Sequence, residues 1–148
     1  MGFPLYLEDL SKMIEKQLIK EYPERPEANT PKKIFELCED IRDSEVEAVA
    51  LFLLDARLNV IRREIISIGN INSSIICPRE IFKRAVMCNA SSVIIEHNHP
   101  SGDATPSTED IEMTESLMKA GEILNVQVID HIITTKNTFH SIEHGGEK

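Results

Sequence analysis

Residues 92–110, SVIIEHNHPSGDATPSTED, join the end of an apolar strand to the start of a polar helix and place two histidines near the junction. In an extended backbone, residues two apart point to the same side, so His97 and His99 can converge on one ion. Pro100 favours this geometry, because the residue before a proline is restricted to extended conformations. Asn98 is expected to point away from the imidazoles, as a surface residue.

The residues that follow predict a turn and then a helix. Ser101-Gly102-Asp103 turns the chain. Pro106 opens a helix that we expect to reach Ala120, with Gly121 as the residue just beyond its end.

Ser107 and Asp110 are three apart in this helix and therefore share a face. If the loop folds back, Asp110 can bring a carboxylate to His97 and His99. Two neutral imidazoles and one carboxylate form a three-ligand site with a fourth position open to water, which is typical of catalytic rather than structural zinc. The same spacing fits a capping box, with Thr105 as an alternative N-cap, and that use would involve no chemistry.

The flanking sequence predicts an α/β (α+β) fold, a mixed β-sheet flanked by helices. Val46–Leu54 is a nearly unbroken apolar run, typical of a strand covered on both faces, and Val60–Ile68 returns from it as a hairpin. Further strands are predicted at Ser92–Glu96, Val126–Thr135 and Phe139–Glu143. Helices are predicted over residues 5–20, from Pro31 to about Arg42 and from Pro78 to about Asn89, with a proline-containing linker over Glu21–Thr30. We therefore expect an N-terminal helix and linker over 1–30, followed by one domain over 31–148.

Composition narrows the function. The chain has 148 residues, 41% of them hydrophobic, and a formal net charge of −9, which argues against nucleic acid as the main partner. No apolar run is long enough for a membrane span, and the N-terminus has acids where a signal peptide needs bases, so a cytoplasmic protein is expected. Three widely spaced cysteines predict reduced, mostly buried thiols.

The motif resembles the signature of the JAB/JAMM (MPN+) metalloprotease superfamily. That signature is an upstream Glu followed by His-x-His-Pro and then by Ser-x-x-Asp, with seven residues between the second His and the Ser. Residues 97–110 match every one of these spacings. The residues in and around the motif are most similar to the RadC branch of this superfamily. The RadC segment Val-x-Asp-His-Ile-Ile occurs here at 128–133. The segments 78–82 and 89–90 are also RadC-like, so the resemblance covers residues 31–143.

This resemblance implies a fold of the JAB/JAMM (cytidine-deaminase-like) type and a Zn²⁺-dependent hydrolase of peptide or isopeptide-linked protein substrates. It implies His97, His99 and Asp110 as the zinc ligands and Ser107 as the hydroxyl that stabilises the tetrahedral oxyanion. The upstream Glu falls at Glu47, which would act as general base and then as general acid. Glu45, two residues earlier on the same face, is the alternative base.

Other residues near the motif have simpler interpretations. Glu96 leaves the opposite face of its strand and is not expected to be the base. His131 is expected to make a structural hydrogen bond rather than to ligate the metal.

A different class of function is also open. RadC proteins carry an N-terminal helix-hairpin-helix region, and residues 1–30 stand in its place here. DNA is therefore not the expected main partner. The alternative is a DNA-repair-associated or protein-binding module with a structural or catalytically silent metal.

Overall fold

The architecture is that of a computed structural model, which describes residues 18–69 and 76–146. Within these ranges the chain forms three helices and one mixed sheet of seven strands. The helices are α1 (Pro31–Leu37), α2 (Pro78–Met87) and α3 (Thr108–Leu124). The strands are β1 (Ile19–Glu21), β2 (Ala48–Leu54), β3 (Val60–Ile68), β4 (Ser92–Asn98), β5 (Gln127–Thr134), β6 (Phe139–Ser141) and β7 (Gly145–Gly146).

The strand order places β4, which carries the start of the motif, in the middle of the sheet. The order is β1-β3-β2-β4-β5-β6-β7. β4 and β5 run parallel, whereas the other neighbouring pairs are antiparallel. A parallel pair requires a crossover connection, and α3 provides it. The chain therefore leaves the end of β4 and turns directly into the start of α3.

Helices cover both faces of the sheet. Alternate residues of β2 divide between two cores, one shared with α2 and α3 and the other with α1. Every residue of β2 and of β4 is buried. This confirms the α/β class with a mixed sheet flanked by helices, and it explains why the β2 segment is an unbroken apolar run.

α1 is shorter than predicted, because a tertiary ion pair redirects the chain. Thr30 caps its start as expected, but the helix ends at Leu37 rather than near Arg42. Beyond that point the carboxylate of Asp40 binds the buried guanidinium of Arg63 with two bonds, at 2.7 and 2.8 Å. This bidentate ion pair ties the chain to β3 at the position where the helix was predicted to continue toward Arg42.

The N-terminal prediction is wrong where it can be compared. The helix predicted over 5–20 lies mostly outside the described residues, but its end is strand, because β1 pairs antiparallel with β3. The predicted linker also lies against the hairpin. Ala28 is buried and donates its N–H to the carbonyl of Leu58 at 2.8 Å, and Val60 donates to Pro26 at 2.8 Å.

α3 begins and ends later than predicted. It continues through Gly121 to Leu124, and Asn125 adopts the left-handed conformation that ends it, at φ 56°. Gly121 serves a different purpose, because a Cβ there would lie 2.3 Å from the carbonyl oxygen of Val126. Among the described residues, no helix is long and apolar enough to cross a membrane.

The cysteines are free thiols, as predicted. Cys38 is buried, whereas Cys77 and Cys88 are partly exposed, so "mostly buried" holds for one of them. Burial raises the pKa of the Cys38 thiol well above its ordinary value, which makes it a poor nucleophile.

Candidate metal centre

The two motif histidines lie at the carboxyl end of β4. His97 is in the strand and buried, and His99 follows the last strand residue. Their Nε2 atoms are 2.8 Å apart, and their ring centroids are 4.7 Å apart. The extended backbone therefore presents both imidazoles to the same side.

Asp110 comes to the imidazoles from the first turn of α3. Its Oδ1 lies 3.6 Å from Nε2 of His97, and its Oδ2 lies 3.7 Å from Nε2 of His99. The same carboxylate closes a capping box, because its Oδ2 accepts the N–H of Ser107 at 2.8 Å while Ser107 Oγ accepts the N–H of Asp110 at 3.1 Å. Capping and facing the histidines coexist in one side chain. Thr105 is not the cap; it donates to Asp103 instead.

These three side chains form a compact donor set. His97, His99 and Asp110 each offer one atom, and these atoms all lie within 4.8 Å of one another. Tetrahedral ligands ~2.1 Å from an ion are separated by about 3.4 Å, close to the distances found here. Two imidazole nitrogens and one carboxylate oxygen suit zinc and other first-row divalent ions.

His97 and His99 each make a further contact through Nδ1, the ring nitrogen that does not face Asp110. Nδ1 of His99 lies 2.8 Å from the carbonyl oxygen of Asp103, which can only accept, so His99 donates there and its Nε2 faces His97 and Asp110. Nδ1 of His97 lies 2.6 Å from Nε2 of His131. Nδ1 of His131 lies 2.8 Å from the hydroxyl of Thr114. His131 therefore bonds a candidate ligand without being one, as the sequence predicts.

The buried imidazoles are neutral at neutral pH. Burial lowers the pKa of His97 to about 4, with the carboxylate of Asp110 opposing and His99 adding to the effect. Burial also lowers the pKa of His131 well below its ordinary value. Each of these rings therefore has one N–H and one bare nitrogen.

This set of contacts leaves one place for a cation. Four close contacts run from the carbonyl of Asp110 through Thr114, His131 and His97 to Nε2 of His99. The hydroxyl of Thr114 and the rings of His131 and His97 supply one hydrogen each, and the Nδ1–H of His99 faces the carbonyl of Asp103. The contact between the two Nε2 atoms is then bridged by a cation, either a further proton or a metal ion. The donor set thus fits a metal ion placed between the Nε2 atoms and the carboxylate.

Glu47 lies at the entry to β2, next to the histidine strand. Val49 is paired with His97, and Val49 and Ile95 belong to the face that packs α2 and α3. If the strand alternation and register continued two residues beyond this pair, Glu47 would lie on that face, opposite His99. Glu47 is partly buried, whereas Glu45 is exposed. Glu47 is not a member of the three-residue donor set.

Asn98 holds the segment that carries Glu47, so its prediction as a surface residue is wrong. It is 1% exposed. Its Oδ1 accepts the N–H of Ala48 at 2.7 Å, and its Nδ2 donates to the carbonyls of Ser44 and Val46 at 3.2 and 3.0 Å. One amide therefore fixes the backbone on both sides of Glu47.

Replacing Asn98 with alanine is expected to lower the free energy of unfolding by about 2–4 kcal/mol, since one buried and two partly buried hydrogen bonds to the backbone are lost. Urea unfolding followed by circular dichroism measures this. The exposed Asn137 is the matched control, and its alanine variant is expected to stay within about 0.5 kcal/mol of wild type. Equal stability of the two variants would contradict the anchoring role.

Glu96 serves the opposite face of the sheet. Its Oε1 accepts the hydroxyl of Thr134 at 2.6 Å, and burial raises the pKa of Glu96 to about 8. Its side chain is directed away from the imidazoles, in agreement with its exclusion as the base.

Two residues that support the site, Thr114 and Asn98, were not predicted from the sequence. Thr114 was not singled out, although it is four residues after Asp110 and so lies on the same helix face. The sequence predicts Asn98 at the surface because it points away from the imidazoles. The available signal was its position between two candidate ligands.

Comparisons with known proteins identify the family that this chain resembles. A family model described as "RadC-like JAB domain" matches residues 28–147. The chain is 50% identical over 108 residues to a "UPF0758 protein" of Desulforamulus reducens, covering 73% of this chain and 48% of the relative. It is 40% identical over 139 residues to a "UPF0758 protein" of Thermotoga maritima, covering 94% and 61%. This chain thus spans about half to three-fifths of the length of these relatives.

Proposed function

This chain belongs to the RadC-like JAB domain family, and from that premise we propose that it is a metal-dependent hydrolase of peptide or isopeptide bonds. His97, His99 and Asp110 would hold one divalent cation, for which we propose Zn²⁺. Mixed nitrogen and oxygen ligands also suit other divalent ions, so the metal is part of the proposal.

One observation supports the proposal most strongly. The Nε2 atoms of His97 and His99 lie 2.8 Å apart beside the carboxylate of Asp110. A shared cation satisfies this arrangement. Three protein ligands leave a fourth position open, as in catalytic rather than structural zinc sites.

The protein residues around the cation have distinct roles. When bound, the cation supplies Lewis acidity that makes a water molecule a nucleophile at neutral pH. We assign Glu47, which is outside the donor set, as the base that would take a proton from that water and give it to the leaving amine. Ser107 is exposed, and its Oγ accepts the N–H of Asp110, which leaves its own hydrogen free to donate to the developing oxyanion.

We propose a peptide or isopeptide-linked protein rather than DNA as substrate. The net charge of −9 disfavours phosphate contacts, which supply most non-specific affinity for DNA. Amide hydrolysis also needs a base and an oxyanion donor beside the metal, and Glu47 and Ser107 provide these groups.

Removing the metal tests this function. Zinc-loaded protein is expected to cleave members of a panel of fluorogenic peptides and ε-linked glycyl-lysine isopeptides, to lose that cleavage with a chelator, and to regain it when zinc is restored. His144 is exposed and outside the donor set, so His144→Ala is the control and should behave as wild type. Cleavage that persists at full rate after verified metal removal, or zinc-loaded protein that cleaves nothing in the panel, would contradict the proposal.

A further inference from the structure

We propose that Thr114 and His131 are positioning residues that hold His97 in the tautomer able to bind a metal. This inference rests on the metal site of the proposed function. Both residues are buried, at 1% and 0% exposure. They link three elements of the fold, since Thr114 is in α3, His131 in β5 and His97 in β4.

The carbonyl oxygen of Asp110 sets the direction of this chain of hydrogen bonds. Thr114 Oγ1 lies 2.7 Å from it and donates, since a carbonyl can only accept. The hydroxyl has a single hydrogen, so toward His131 it must accept, and Nδ1 of His131 bears the N–H. Nε2 of His131 is then bare.

The bare nitrogen of His131 determines the state of His97. Nδ1 of His97 is 2.6 Å away and must donate to it. A neutral imidazole has one N–H, so Nε2 of His97 is left with a lone pair that faces His99 and Asp110. The direction set by one carbonyl thus passes through two buried side chains to the ligand atom.

Without the hydroxyl, the opposite arrangement becomes the satisfied one. His131 could then place its hydrogen on Nε2 and donate to His97, and His97 could donate from Nε2 to His99. The contact between His131 and His97, at 2.6 Å, and the contact between His97 and His99, at 2.8 Å, would then each have one hydrogen. The metal-free site would be complete, and a metal would have to reverse both tautomers in order to bind. The hydroxyl of Thr114 disfavours this competing state, because in it the hydroxyl could not donate to the carbonyl of Asp110 and to Nδ1 of His131 at once.

Asp110 takes part at both ends of the site. Its carboxylate faces the imidazoles, and its own carbonyl is the acceptor that directs the chain. Movement of the first turn of α3 would therefore shift the Asp110 carboxylate. The same movement would change the tautomer that His97 adopts.

Thr114→Val and Thr114→Ser test the inference with the metal alone as probe. Valine has a similar shape without the hydroxyl, and serine keeps it. Zinc affinity is measured by competition with a chromophoric chelator. We expect Thr114→Val to bind zinc about 10–100-fold more weakly than wild type, the range for loss of a partner that orients a metal ligand. Thr114→Ser is expected to remain within about 3-fold of wild type, because its hydroxyl restores the bond.

Nitrogen-15 NMR of the histidine rings supplies a readout that a merely structural role would not move. In zinc-loaded wild type we expect His131 and His97 to bear hydrogen on Nδ1. In metal-free Thr114→Val we expect both hydrogens on Nε2. Equal zinc affinities of the valine and serine variants, or His131 protonated on Nε2 in the zinc-loaded protein, would overturn the inference. Wild type that binds no zinc would instead overturn the proposed function.

Discussion

Replacing Glu47 with glutamine is expected to slow hydrolysis by about 10²–10⁴-fold, the contribution of a positioned general base, while the metal stays bound. Glutamine has nearly the same shape as glutamate but cannot take a proton from water. Because Glu47 lies outside the donor set, zinc content should remain near one ion per chain. The rate with an amide substrate and the zinc content of the same preparation are the two measurements.

Glu45 supplies the matched control for this prediction. It is exposed and two residues farther from β2, whereas Glu47 is partly buried and held between backbone groups that Asn98 binds. Glu45→Gln is therefore expected to keep a rate within about 3-fold of wild type, well short of the loss of a general base. A wild-type rate in Glu47→Gln would contradict the assignment, and a selective loss in Glu45→Gln would transfer the role to Glu45.

Removing a ligand is expected to abolish stable metal binding. His97→Ala and Asp110→Ala each leave two of the three donors, so zinc affinity should fall by more than the 10–100-fold typical of an orienting partner. Chelator competition and the zinc content after gel filtration measure the loss. Hydrolysis should fall with the metal in both variants.

The alanine variant of Asp110 also loses a capping bond, which accounts for about 1 kcal/mol of stability. Asp110→Asn can keep an oxygen for the N–H of Ser107 while removing the charge, so it separates capping from ligation. Glu109→Ala removes an exposed acid from the same helical turn and should retain full zinc. Zinc retained by Asp110→Asn and Asp110→Ala alike would contradict the role of this carboxylate.

The parts of the fold that the sequence predicted are those in which one pattern dominates. β2 and β4 follow from apolar runs that must be buried on both faces, and α3 follows from its cap and the proline before it. The misses arise from tertiary contacts and from the real helix end. β1 is strand because β3 offers an edge to pair with, and α3 passes Gly121 because the left-handed Asn125 ends the helix instead.

The candidate site divides in the same way. His97, His99, Ser107 and Asp110 are close in sequence, so local spacing alone brings them together. His131 and Thr114 reach the site through strand register and helix packing, which no local pattern specifies. Glu47 was preferred over Glu45 from the family resemblance, and its partial burial is consistent with that preference.

The proposed function requires that His97, His99 and Asp110 share one ion. Anomalous scattering at the zinc edge from crystals of the zinc-loaded protein is the decisive measurement. One peak is expected about 2.0–2.2 Å from Nε2 of each histidine and from a carboxylate oxygen of Asp110. A peak held by other residues, with these three side chains unligated, would contradict it.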